Sequence, residues 1–258
     1  MNNYKKPICQ LAGTLFLALF PTAAHAQKWD DKILIQQCND RYSLMFDHEK
    51  PVVKNTKKIT YESNSSVTVY PETDVLYGEY ISLDDVSGRG AKQYKNITPE
   101  NVFYDDTKAC ILRGYIDKKG KTCTAAFERT FKDPKYFTRI YLLEDYFIRN
   151  KTLTITIPKE MSGYRIKEMN FKGYPIQSKH ETTAGGETYT YQITQADRMK
   201  EDKHMPPASN VYPYLLITGA FQDVNALYTW SKEMANVDCT IPDLKALLQE
   251  INAQSKTD

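Results

Sequence analysis

Cys123, His180 and Asp197 occur in the order nucleophile, base and orienting acid of a cysteine hydrolase or acyl transferase. In such a triad the imidazole takes the thiol proton and leaves a thiolate that attacks an acyl carbon. The nucleophile usually stands at a helix N-terminus, where the dipole lowers the thiol pKa. Cys123 instead lies in a run from Lys121 to Phe131 that alternates like a strand, so it is expected to be a small buried residue facing a β interior. Catalysis by Cys123 remains the enzymatic alternative.

Other reactive arrangements are sparser. His48, His180 and His204 are far apart in sequence, and no HExxH, paired CxxC or EF-hand loop occurs, so neither metal nor other cofactor is expected. The doublet Gly185-Gly186 lacks the lysine and helix of a phosphate loop and reads as a hairpin turn between Glu181 and Thr188. The acidic doublets Asp84-Asp85, Asp105-Asp106 and Glu144-Asp145 bring to mind the paired carboxylates of glycoside hydrolysis. In a chain with 32 acids they are expected as solvated turns and strand ends. Nineteen tyrosines raise a third class of function, a glycan-binding module, because tyrosine offers a flat apolar face with one polar tip. Most are expected in the core or on sheet surfaces.

The elements that must position these residues are mainly strands. From about Ile59 to Thr218 the period is two: Leu153, Ile155 and Ile157 alternate with threonines, as do Tyr189, Tyr191 and Ile193 with Thr188, Thr190 and Gln192. Further strands are expected around Val67 and Val69, Val75 to Ile81, Tyr136 to Leu143 and Tyr212 to Ile217. The run 201–210, with Pro206 and Pro207, reads as a loop. Lys108 to Ile116 and Lys121 to Phe131 read as a hairpin around Asp117-Lys118-Lys119-Gly120. The pattern predicts a mainly β chain, an antiparallel two-sheet β-sandwich over 27–222.

Two short C-terminal α-helices are expected in the segment 223–258. Asp223 can cap the first, in which Val224, Leu227, Tyr228, Ser231 and Met234 share a face with Trp230 at its edge. Thr240, Pro242 and Asp243 mark the start of the second, whose stripe Leu244, Leu247, Leu248 and Ile251 recurs at i, i+3, i+4 and i+7. Burying each of these side chains is worth roughly 1.5 to 3 kcal/mol, so the stripe is expected either to pack on the sandwich or to dock a protein partner.

Composition narrows the remaining choices. With 34 Lys and Arg against 32 Asp and Glu in 258 residues, no net field is available for nucleic acid. The first 26 residues read as a secretory leader: Lys5 and Lys6, an apolar run from Ile8 to Phe20, then Ala24-His25-Ala26 before a cut at Gln27. The run is too short to span a bilayer, which takes roughly 20 apolar residues. The protein is therefore expected to be exported, periplasmic or extracellular, and formally neutral once the leader is removed. Disulfides are then possible among Cys38, Cys110, Cys123 and Cys239, in three complete pairings. In the hairpin register Cys110 and Cys123 are out of step by four residues, roughly 13 Å. A disulfide needs α-carbons within about 7 Å, so no Cys110–Cys123 bridge is expected.

Four segments together resemble a known family. They are ITPENVFYDDTKACILRGYIDKKGKTC, FKDPKYFTRIYLLEDYFIRNKTLTITIP, MNFKGYPI and MPPASNVYPYLLITGAF, within Ile59 to Met234. The chain is similar to the bacterial exported domain of unknown function 3857. The resemblance implies a β-sandwich standing ahead of a transglutaminase-like, papain-type cysteine domain in longer secreted proteins of Gram-negative gut bacteria. No residue here matches that domain's nucleophile, histidine or aspartate. The expected role is thus a non-catalytic binding or accessory module, associated with a transglutaminase-like partner or a truncated relative of such a protein.

Overall fold

Strands that are apolar at every second position need a cover for one face only, and here the cover is divided. The computed structural model describes residues 32–97, 107–200, 204–235, 246 and 249–252. The chain enters through β1 (Ile33–Asp47) and β2 (Lys50–Ser63), followed by β3 (Glu72–Tyr77), β4 (Ile81–Gly88), β5 (Gly90–Asn96), β6 (Lys108–Gly114) and β7 (Thr122–Phe131). Then come β8 (Arg139–Tyr141), β9 (Phe147–Pro158), β10 (Arg165–Met169), β11 (Ile176–Thr183) and β12 (Gly186–Ala196). A single helical turn, α1 (Ala208–Val211), then β13 (Tyr214–Thr218) and α2 (Val224–Met234) follow.

Seven strands form one sheet in the order β11-β12-β9-β1-β2-β7-β4. Its inner face carries Tyr191, Leu153, Tyr42, Ile59 and Phe127, all buried, while the intervening positions are more open to solvent. Two three-stranded sheets, β10-β13-β8 and β3-β6-β5, supply the second layer. Leu215 and Ile140 of the first, and Val75 and Leu112 of the second, belong to the same buried cluster as the large sheet. The mainly β expectation holds. The finer expectation of two antiparallel sheets is corrected: the second layer is split in two, and β1 runs parallel to β9, from Leu34 opposite Phe147 to Ser43 opposite Thr156.

The predicted hairpin between Lys108 and Phe131 does not form. β6 pairs with β3 and β5 while β7 pairs with β2 and β4, so the two strands lie in opposite layers. The connection from Tyr115 to Lys121 is long enough to cross between layers about 10 Å apart, and crossing lets both apolar faces be buried against each other. Cys38, Cys110 and Cys123 are free thiols, so the expected absence of a Cys110–Cys123 bridge stands although the register behind it does not. The turn at Gly185 does form, with Thr183 opposite Gly186.

At the C-terminus Asp223 caps α2, its Oδ1 accepting from the Ala226 N–H at 2.8 Å. Trp230 packs edge-on to Tyr136 and beside Phe221. The predicted apolar face is not covered: Val224, Leu227 and Tyr228 are 64%, 42% and 69% exposed. α1 also occupies part of the run read as a loop. Of the second stripe, Leu244, Leu247 and Leu248 lie outside the described residues; 249–252 are helical and Ile251 is half exposed. The leader, Cys239 and Asp105-Asp106 also lie outside them.

The two layers come close at Gly114, where an added Cβ would lie 2.7 Å from Cys123 Sγ. Gly114→Ala should therefore destabilise the protein by about 1 to 3 kcal/mol, the range of an overpacked core. Cys123→Ala removes the obstructing sulfur, so the double variant should recover part of that loss in thermal melts. Strict additivity of the two substitutions would contradict this packing.

Candidate functional site

The strand order separates the residues of the candidate triad. Cys123 is the second residue of β7 and His180 lies on β11, five strand spacings away, roughly 24 Å along the sheet. His180 stacks on Tyr189 with ring centroids 4.2 Å apart, and its Nε2 lies 3.5 Å from Glu187 Oε2. Asp197 follows the end of β12, next to β11 and not to β7. Cys123 is buried, and burial pushes its thiol pKa up, with only partial relief from a backbone hydrogen bond at Tyr115. The geometry assembles no Cys–His–Asp relay and favours the neutral thiol.

Around the outer rim of Cys123 the fold opens into a cleft of about 530 Å³. Lys58 of β2 and Thr124 and Ala126 of β7 form one wall, Ser87 to Arg89 another, and Tyr115 the lip. Backbone geometry fixes the second wall. At Gly88-Arg89-Gly90 the chain leaves the large sheet as β4 and enters the small one as β5, with φ of +146° and +156° at the two glycines. A Cβ on Gly90 would lie 2.0 Å from the Arg113 carbonyl oxygen, and one on Gly88 2.7 Å from that of Thr124. Only glycine accommodates both the backbone conformation and the contact, so Arg89 is held at a rigid corner.

A second polar centre was missed by the sequence reading. Along the inner face of the large sheet, Arg129 Nε donates to Asn55 Oδ1 at 2.9 Å and Asn55 Nδ2 donates to Asp40 Oδ1 at 2.7 Å. Lys57 Nζ lies 4.0 Å from Asp40 Oδ2 and 2.7 Å from Glu144 Oε1, which also accepts from Lys151 Nζ at 2.5 Å. Contrary to expectation, Glu144 is therefore no solvated turn residue. Burial alone would push its carboxyl up, but Lys151 and Lys57 outweigh that and hold it near 2. Burial likewise works against the Lys57 charge, and Glu144 and Asp40 overcome it, raising Lys57 well above its usual range. Among the described residues no buried side-chain nitrogen or oxygen lacks a hydrogen-bond partner. A cavity of about 50 Å³ beside Lys57, Glu144, Tyr61 and Thr73 has room for a water or two but not for an organic substrate.

These two centres divide the chemistry. The buried one is ionic, satisfied and closed; the cleft is open and lined by hydroxyls and cations. Four tyrosines, Tyr70, Tyr94, Tyr115 and Tyr228, are largely exposed, and Tyr70 and Tyr115 sit side by side with centroids 5.8 Å apart.

The fold has counterparts among solved structures. A protein from Parabacteroides distasonis ATCC 8503, provisionally named as a protease, superimposes with a TM-score of 0.57 at 12% identity, over 81% of this chain and 44% of that one. A protein from Legionella pneumophila provisionally named as nutrient-binding gives 0.45 at 11% identity, over 81% and 73%. An M1 zinc metallopeptidase from Deinococcus radiodurans gives 0.35 at 9% identity, over 72% and 42%. The first likeness shows a shared fold, and this chain spans less than half of that protein's length. No family model matches the sequence, and no curated protein does.

The Glu144 clamp predicts acid sensitivity. Its folded pKa, near 2, lies below the ordinary 4.5, so its stabilisation is complete above about 4.5 and is lost as the pH falls towards 2. Glu144→Gln leaves Lys57 and Lys151 without their shared carboxylate and should cost about 3 to 5 kcal/mol at neutral pH. It should also flatten the stability profile between pH 4.5 and 2. Denaturant unfolding across that range checks both; a variant with unchanged pH dependence would assign the acid transition elsewhere.

Proposed function

We propose that this chain is a non-catalytic, exported binding module of the kind represented by the domain of unknown function 3857, acting beside a transglutaminase-like partner. The observation that carries the reading is the strand order, which places Cys123 on β7 and His180 five strands away. The thiol pKa, raised by burial, supports it. The partner is supported by the fold likeness to the Parabacteroides protein, of which this chain covers 44%, and by the family resemblance of the four sequence segments. Export rests on the leader pattern of the first 26 residues. The exposed face Val224, Leu227 and Tyr228 of α2 is the surface offered to that partner, and the sequence stripe Leu244, Leu247, Leu248 and Ile251 is the other docking candidate.

The expected outcome in alkylation is clear. Native protein treated with iodoacetamide at neutral pH should leave Cys123 unmodified over a period that labels glutathione fully, and denaturation should expose it. Peptide mapping by mass spectrometry reads the result. Rapid native labelling of Cys123, abolished by His180→Ala, would instead establish a thiolate relay and return the chain to the cysteine enzymes.

A further inference from the structure

The cleft beside Cys123 lies apart from the ionic centre of the core. Its volume of about 530 Å³ falls within the range of small-ligand sites. Its charged lining residues are Lys58 and Arg89, with no carboxylate among the lining side chains. Some exposed cations of the fold are paired, Arg113 with Glu72, Arg149 with Glu62 and Lys179 with Glu181. The side chains of Lys58 and Arg89 make no hydrogen bond or ion pair with the described residues. The chain is close to neutral overall, with 34 Lys and Arg against 32 Asp and Glu, so this local positive character is not a general excess.

The rest of the lining fixes the kind of anion. Ser87, Thr122 and Thr124 add three hydroxyl groups, each able to donate and accept. Tyr115 at the lip is 49% exposed, and its neighbour Tyr70, 55% exposed and tilted by 59°, extends the aromatic surface. Apolar area held in water at a cleft mouth, with hydroxyls and cations behind it, complements a molecule with C–H faces, hydroxyls and an acid group. A bare inorganic anion would leave the tyrosines unused. A neutral sugar would leave the two cations unpaired.

We propose that this cleft binds an acidic saccharide of the uronic-acid type. The sugar ring lies against Tyr115, its carboxylate faces Arg89 and Lys58, and its hydroxyls meet Thr122, Thr124 and Ser87. Arg89 is suited to the carboxylate because its planar guanidinium can engage both oxygens. The assignment rests on the binding-module reading and names its ligand class.

The test is isothermal titration of the full exported chain with trigalacturonate, with maltotriose as a neutral trisaccharide and triglutamate as a peptide polyanion. Trigalacturonate should bind, more weakly as salt rises, and the other two should give no saturable heat. Arg89→Gln and Tyr115→Ala should each weaken binding about tenfold or more, with melting temperatures that confirm folding. Lys58→Gln should reduce the salt dependence. Absence of trigalacturonate binding, equal binding of triglutamate, or indifference to both Arg89→Gln and Tyr115→Ala would overturn the proposal. Those failures leave the alkylation result untouched, and rapid native labelling of Cys123 would overturn the module reading whatever the titration shows.

Discussion

The constraint on which the architecture depends is that Glu144 must meet two lysines inside the core. Lys57 belongs to β2 and Lys151 to β9, and β1 lies between those strands. The carboxylate comes from the short connection between β8 and β9. A single side chain therefore ties together three successive strands of the sheet and the segment that covers them. Unpaired, any of these charges would be expensive to bury; paired, they cost far less, and the arrangement discriminates strongly between registers. Sliding β9 by one residue against β1 would turn Lys151 to the outer face and leave Glu144 short of a partner. This matters most at the parallel β1–β9 contact, because no hairpin turn fixes its register and the strands are distant in sequence.

The same sheet shows how one side chain type serves different ends at different depths. Lys57 and Lys58 are adjacent, so strand alternation sends them to opposite faces. Lys57 is spent on holding the core together, whereas Lys58 is exposed and stands in the cleft. Arg129 and Arg89 divide in a similar way: the first bonds Asn55 and lies 5.2 Å over the Phe131 ring, and the second projects from the glycine corner between layers. A cation inside this fold is thus accounted for by a named anion, amide or ring. The two cations at the cleft have no such internal assignment, and they share one cavity that no carboxylate lines.

Much of the sheet was legible because its strands follow simple alternation: Leu153, Ile155 and Ile157 read as an inward face and are one. The first two strands were less visible for a physical reason. Their inward positions include Asp40, Asn55 and Lys57, which interrupt the apolar period, and their turn is His48-Glu49, both at positive φ without the glycine or asparagine that usually announces such a turn. The ionic cluster was hidden by the same fact. Polar residues at inward parity look like solvent-facing ones until the strand's extent is known, and Glu144 has no periodicity of its own. The hairpin error at Gly120 has a different source. Turn residues specify a reversal of direction, but they do not say whether the returning strand lies beside its predecessor or across from it.

The crossing of layers at Gly120 explains why the cleft exists where it does. Had β6 and β7 paired edge to edge, Tyr115 would have continued one sheet and Gly114 would have faced its neighbour within that sheet. Because they face each other across the core, Gly114 and Cys123 must come close. β4 passes from one layer to the other at Gly88-Arg89-Gly90 in the same region, and it closes the far side. The cleft lies beside that corner, on the face of the large sheet that carries Lys58, Thr124 and Ala126. Its shape is therefore set by core packing, while its chemistry is set by exposed side chains that the core does not need. Substitutions at Lys58, Arg89 or Tyr115 can alter what the cleft holds without disturbing what holds the cleft, the separation expected of a binding surface built on a rigid sheet.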